Sequence, residues 1–288
     1  MKNLKNKKIL ITGASGFIGS YLYDYLKKNK LNIIGIDNNA RSKLKKKGIK
    51  KCSIFNKNLF KKYIKWADII IHLAAINGTR NFYEKPKEVF EIGIRGSLNL
   101  FDILDEIGIK KSSQKEVFIA SSGEVYGEPS YVPSDEKIPL KIDDIFNNRF
   151  SYGGGKICQD LVSRYMISQI VNRCIIFRPH NVYGPNMGYD HVIPELSLKA
   201  LNSKNKINIE GSGKETRAFC YIDDFIKGLL LLLSKKTKKF DIFNIGNDKE
   251  VRVIDVTKII LTTLQKKLLI KSKRKKKKKE VPIGEYQI

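Results

Sequence analysis

The stretch Lys8-Ile9-Leu10-Ile11-Thr12-Gly13-Ala14-Ser15-Gly16-Phe17-Ile18-Gly19 decides how this chain folds. Lys8 to Thr12 is an apolar run of strand length, and Phe17 to Lys28 carries a helical pattern. Gly13 permits a tight turn between them. Gly16 lets backbone approach a pyrophosphate resting on the helix N-terminus, and Gly19 lets helix and strand pack closely. A lone glycine pattern is weak. Here a strand precedes it, a helix follows, and Asp37 closes a second apolar run, Asn32 to Asp37. The Asp37 carboxylate suits a ribose diol and repels a 2′-phosphate. NAD is therefore expected over NADP, with Arg41 the residue able to reverse the preference. The plainer reading of Asp37 is a turn-capping aspartate. Ser15, Phe17, Ile18 and Asn38 fall in the same cofactor segments, and Leu73-Ala74-Ala75 ends a later strand with small residues on which a cofactor can lie.

Outward from this turn, short apolar runs alternate with helical stretches. Ile69 to Ala75, Val117 to Ser121 and Cys174 to Arg178 read as buried strands; Pro86 to Ile107 and Tyr152 to Ser168 read as helices. The expected fold is α/β: a doubly wound parallel sheet, Rossmann-like, with a smaller C-terminal substrate-binding lobe. The NAD-binding domain is expected over residues 1–178 and the lobe over 179–270. Pro179 to Pro194 reads as a long loop and Ile207 to Ile209 as a strand. Asp224 is the expected N-cap of a helix Phe225 to Leu233. A strand near 241–246 is expected to return to the first domain. Residues 271–288 read as a basic, disordered tail, because eight of the nine residues from Lys271 to Lys279 are basic and no apolar face is available.

The 288 residues can bury a large core, and the longest apolar run, Gly228 to Leu233, is far too short to span a bilayer. Four scattered cysteines without a Cys-x-x-Cys, and the absence of a signal-like apolar region, point to the cytoplasm. His72, His180 and His191 show no metal-ligand spacing, so no metal is expected. The net charge of +26 invites a nucleic-acid reading, but only ten of the 55 basic residues are arginine, and the lysines come in blocks. Solvated surface lysine is the expectation, with no specific nucleic-acid partner. A basic surface also attracts an anionic nucleotide sugar.

Tyr152 and Lys156, four apart, lie on one face of a helix. A free tyrosine has a pKa of about 10. A neighbouring ammonium favours the phenolate, so the pair can take a proton from a hydroxyl while a nicotinamide takes hydride.

These pieces together resemble the extended short-chain dehydrogenase/reductase family, in its nucleotide-sugar epimerase/dehydratase branch. The matching blocks run from Thr12–Gly19 through Asp37, His72–Ala75, Ser121–Gly127, Tyr152–Lys156, Arg178–Pro185, Gly211–Gly213 and Arg217 to Asn244–Gly246. The resemblance implies Tyr152 as the base on a sugar 4-hydroxyl, with Lys156 holding the nicotinamide ribose and Ser122 bonding the same sugar oxygen. It implies Asn181 and Arg217 on the diphosphate of a nucleotide-diphosphate sugar. A homodimer is the assembly allowed for.

The implied reaction is an epimerisation through a transient 4-keto sugar. A decarboxylase or 4,6-dehydratase using the same intermediate is the alternative, as is a catalytically impaired, C-terminally truncated nucleotide-binding member. Ser122-Gly123-Glu124 stands where the family's 4,6-dehydratases carry Thr-Asp-Glu. Glycine cannot donate a proton, whereas Glu124 is retained as a candidate catalytic carboxylate; its plainer reading is a salt-bridging or capping residue. His180 either faces the sugar or nicotinamide, or is a hydrogen-bonded loop histidine. Gly93 stands where the family often has Asn, and Gly154 and Gly155 where it favours helix formers. The lysine-rich ending is expected to replace the family's closing substrate segment and to leave the sugar site open on one side.

Overall fold

The computed structural model describes residues 2–40 and 48–273. Seven parallel strands form its main sheet: β1 (Lys8–Thr12), β2 (Asn32–Asp37), β3 (Ile49–Lys51), β4 (Ile69–His72), β5 (Glu116–Ala120), β6 (Arg173–Pro179) and β7 (Phe240–Ile245). They lie in the order β7-β6-β5-β4-β1-β2-β3. The order reverses at β1, which pairs with β2 on one side and β4 on the other. The carboxyl ends of β1 and β4 therefore open a crevice at a topological switch point. Parallel neighbours need long crossovers, which carry helices α1 (Phe17–Lys28), α2 (Lys57–Trp66), α3 (Pro86–Glu106), α4 (Phe150–Val162), α5 (Val192–Asn202) and α6 (Ile222–Ser234); α7 (Val253–Thr263) follows the last strand of the sheet.

The strands read as continuous apolar runs because both faces are covered. In β1, Ile9 and Ile11 pack in one cluster with Leu22 and Leu26 of α1 and Phe225 and Leu229 of α6. Leu10, between them, packs on the other face with Phe60 and Ile64 of α2 and Leu100 and Ile103 of α3. All three are fully buried, and each such side chain contributes about 1.5–3 kcal/mol.

Several bounds differ from the sequence reading, each for a packing reason. Helix α6 begins at Ile222, not Phe225, because Ile222 is buried in the α1 cluster. Its cap residue is Tyr221; Asp224 sits inside the first turn with Asp223, where carboxylates complement the helix dipole. The whole of α6 packs on the main sheet, so more of the chain returns to the first layer than the strand near 241–246. The long loop expected to Pro194 ends earlier, at the start of α5, and holds the short strand Val182–Tyr183. Helix α4 continues through a π turn, Ser163–Ile167.

The small lobe has its own core. Leu196 and Ala200 of α5 pack with Val256 and Ile260 of α7 and with Ile207 and Ile209 of the strand Lys206–Glu210. That strand pairs in parallel with Leu269–Lys273. Lys271 to Lys273 are therefore not part of a disordered tail: β pairing satisfies their backbone without needing an apolar face. Residues 274–288, and Arg41, lie outside the described residues.

Gly93 and Gly155 are explained by the α3–α4 crossing. A Cβ at Gly93 would stand 2.9 Å from the Gly155 carbonyl carbon and oxygen, so the two backbones touch. Gly93→Ala is expected to cost about 1–3 kcal/mol by overpacking against immovable backbone. Thermal unfolding checks this; an unchanged Tm would show that the helices part freely.

Candidate active site

Gly13 has φ of 68°, the left-handed conformation its turn requires. A Cβ at Gly19 would stand within van der Waals overlap of the Gly13 carbonyl, so α1 rests directly on the turn. A Cβ at Gly16 would meet only the Gly13 carbonyl oxygen, at 3.2 Å, leaving this face approachable. The N-cap of α1, Gly16, offers no side-chain acceptor, so first-turn N–H groups remain for an anion. Across the crevice, the Thr12 hydroxyl accepts from Leu73 N (3.1 Å) and Ala74 N (3.2 Å), which fastens the end of β4 to the end of β1. Ala75 follows in the same segment beyond β4.

Asp37 ends β2 beside this turn. Its Oδ2 accepts from Ser15 N (3.0 Å) and its Oδ1 from Asn39 N (2.6 Å). The turn-capping reading and the diol reading thus coexist: each oxygen has capacity for a further hydrogen bond. Asn38 caps its own turn at Ala40 N, whereas Asn39, which the sequence reading did not single out, accepts from the Ser15 hydroxyl at 2.9 Å. Phe17 and Ile18 form the first turn of α1, packed against the sheet core. The residues present fit a dinucleotide: a glycine turn without side chains, an uncapped helix start and an acidic residue at the second strand's end.

Lys156 reaches from α4 to the end of β5. Its Nζ donates to the Ala120 carbonyl (2.6 Å) and to Gln159 Oε1 (2.8 Å), and it stands 5.8 Å from the Tyr152 ring centroid. Burial lowers the Lys156 ammonium to about 8, opposed by the Asp160 carboxylate. The Tyr152 ring stacks on Phe82 with centroids 4.8 Å apart. Ser122 follows β5, its Oγ accepting from Glu124 N at 3.2 Å. Gly153 abuts the same turn: a Cβ there would stand 2.9 Å from the Glu124 carbonyl oxygen. Lys156, Ser122 and Glu124 therefore lie at the carboxyl end of β5, and Tyr152 sits on the helix that abuts the same turn.

The Glu124 carboxylate is held by Arg149, whose Nη2 lies 3.3 Å away and whose side chain is buried. This salt bridge agrees with the plainer reading of Glu124. Arg149 was missed in the sequence, because its contact depends on a loop returning from residue 128. Gln159 was missed as well, although its i+3 spacing from Lys156 carries the signal that could have found it. Asn181 donates to the Ala218 carbonyl at 3.4 Å, which brings it beside Arg217. Arg217 is buried and donates to the Thr216 carbonyl. Among the described residues, no cluster of ligand side chains suits a metal ion, and no helix is long and apolar enough to cross a membrane.

A family model described as "NAD dependent epimerase/dehydratase family" matches residues 9–246. The chain is 30% identical to a UDP-N-acetyl-alpha-D-glucosaminuronate decarboxylase of Bacillus cytotoxicus, over 88% of this chain and 78% of the relative. It is 33% identical to a dTDP-D-glucose 4,6-dehydratase of Dictyostelium discoideum, over 88% of this chain and 62% of that relative. Among solved structures it resembles a UDP-glucose 4-epimerase of Thermotoga maritima, with a TM-score of 0.77 and 25% identity, covering 93% of this chain and 86% of that one.

Proposed function

Because this chain belongs to the NAD dependent epimerase/dehydratase family, we propose that it is a nucleotide-sugar epimerase acting through a transient 4-keto sugar. The observation that carries this reading is the turn after β5. Lys156 bonds the Ala120 carbonyl two residues before Ser122, which supports reading Ser122, Tyr152 and Lys156 as one site, while Glu124 is engaged by Arg149 and position 123 has no side chain. Oxidation at C4 needs one base near the sugar hydroxyl. Water elimination needs a further acid and base, and this turn offers a glycine and an ion-paired carboxylate instead.

Bound NAD would supply a reversible hydride acceptor for C4 of the sugar. The Gly13–Gly19 turn and the start of α1 would hold its pyrophosphate, Asp37 its ribose diol, and Leu73–Ala75 its passage across the crevice. Tyr152 takes the 4-hydroxyl proton. Lys156 supplies the positive charge that makes its phenolate accessible, and Ser122 donates to the same sugar oxygen. Asn181 and Arg217 would bind the diphosphate.

Incubating the protein with UDP-, dTDP-, GDP- and CDP-sugars, with product identification by NMR, tests this reading. A C4 epimer is the expected product. NAD should bind more tightly than NADP in direct titration, and Asp37→Asn should narrow the gap; equal binding of both by the parent protein would overturn the Asp37 assignment. Glu124→Gln, which keeps size and removes charge, should leave kcat/KM within about threefold. A large loss, with a pentose or a stable 4-keto product from the parent protein, would favour decarboxylation or dehydration.

A further inference from the structure

Lys156 is 3% exposed and Gln159 1% exposed, three residues apart on α4. An ammonium only donates, so the amide oxygen of Gln159, not its nitrogen, must face it. Gln159 Oε1 accepts from Lys156 Nζ at 2.8 Å. The second acceptor is the carbonyl of Ala120, the last residue of β5, at 2.6 Å. One tether from the helix and one from the strand thus fix where the cation stands. Gln159 is itself anchored, since its carbonyl accepts from the Ser163 hydroxyl at 2.7 Å.

The charged groups around this pair are mostly engaged elsewhere. On α4, the Asp160 carboxylate favours the Lys156 cation against its burial, but it is paired with Arg178 of β6 at 2.9 Å. Cys174, also on β6, is a neutral thiol that burial pushes up to about 12. On β4, His72 is pushed down to about 3, by burial first and by the Lys156 charge second, so it adds no cation. Beyond β5, Glu124 is held by Arg149. Helix α3 meets α4 at Gly93, which has no side chain. Tyr152 remains, with the ammonium 5.8 Å from its ring centroid. Among the described residues, both hydrogen-bond acceptors of the ammonium are therefore uncharged. A buried cation without such acceptors gives up its proton, and hydrogen bonds to the charged form oppose that loss.

We propose that Gln159 is a positioning residue for the reaction: its amide oxygen keeps the Lys156 ammonium charged and in place at the end of β5, where that cation serves Tyr152. The inference rests on the reading of Lys156 as the charge partner of Tyr152. An apolar side chain of similar length at 159 removes one of the two tethers, and the half-satisfied cation then loses its proton more readily. A carboxylate at 159 keeps the shape and adds opposite charge, so the ammonium persists to higher pH. A glutamine that only filled space would leave the titration of Lys156 unmoved by an apolar replacement.

The test follows Lys156 directly and through turnover, in the full chain. Protein isotope-labelled at lysine Cε is titrated by NMR without cofactor or substrate, and the Lys156 resonance is assigned by its loss in Lys156→Met. The parent midpoint should lie at about pH 8. Gln159→Met should lower it by about one pH unit or more, and Gln159→Glu should raise it. Gln159→Leu, a second apolar replacement, should show the same direction as Gln159→Met, and a cooperative thermal transition reports that each variant is folded. The alkaline limb of kcat/KM, read on the nucleotide sugar that the parent protein turns over, should move with the midpoint in every variant. An unchanged or raised midpoint in the folded apolar variants overturns the proposal. Midpoints that move while the limb of the rate profile stays would overturn the reading of Lys156 itself. A parent limb near the Lys156 midpoint, with neither moved by the apolar variants, would overturn only the part given to Gln159.

Discussion

Tyr152→Phe is expected to cut turnover by about 10²- to 10⁴-fold, the usual cost of losing a general base, with NAD affinity unchanged. The change deletes one oxygen and keeps the ring that stacks on Phe82, so packing survives. The same pair sets a pH dependence. Burial lowers the Lys156 ammonium to about 8. Above that pH the cation is lost, the phenolate loses its neighbour charge, and kcat/KM should fall. Unfolding does not produce this limb. A free lysine titrates near 10.4, so between about 8 and 10.4 the unfolded chain binds more protons at this position than the folded one. The contribution of Lys156 to stability therefore rises with pH across that window while activity declines. A pH–rate profile beside Tm measurements separates the two, and full activity maintained to pH 10 would overturn the role given to Lys156. Full activity in Tyr152→Phe would overturn the site.

Asp160→Asn is expected to cost about 3–5 kcal/mol, because it leaves the buried Arg178 guanidinium without its counter-charge. Both side chains of this 2.9 Å pair are almost wholly buried. Burial alone pushes the Asp160 carboxyl up, and Arg178 opposes it. The loss is a large share of a typical domain's stability, and urea unfolding measures it. Replacing both partners together, as Asp160→Leu with Arg178→Met, should cost less than the single change, since no buried charge then remains unpaired. Asp160 also supports the Lys156 charge. In Asp160→Asn the alkaline limb of the rate profile should therefore move to lower pH. A small stability change in the single variant would mean that water or another group reaches Arg178.

The parts of the site that were legible are those whose residues are close in sequence. Tyr152, Lys156 and the overlooked Gln159 share one helix face by spacing alone. Ser15 and Asp37 belong to the two ends of one β-α-β crossover, so their hydrogen bond follows from recognising the unit. Arg149 was not legible. It reaches Glu124 only because the chain between them loops out and returns, and an arginine at a helix start carries no sign of its partner. The expected N-cap at Asp224 failed for a related reason: local preference was outweighed by burial of Ile222 two residues earlier.

The sequence by itself determined the doubly wound sheet, the glycine turn with its acidic partner, and the Tyr–Lys pair. Apolar period, turn chemistry and short-range spacing carry these features, and each is a property of adjacent residues. Only the tertiary structure decided that Glu124 is ion-paired, that Gly93 and Gly155 form a helix crossing, that Lys271 to Lys273 belong to a strand, and that His180 fills the place beside Gly123. Those facts depend on which strands become neighbours and how closely helices cross. A linear pattern records which faces are apolar, but contact between distant segments is selected by packing, where a difference of one side chain decides which groups meet.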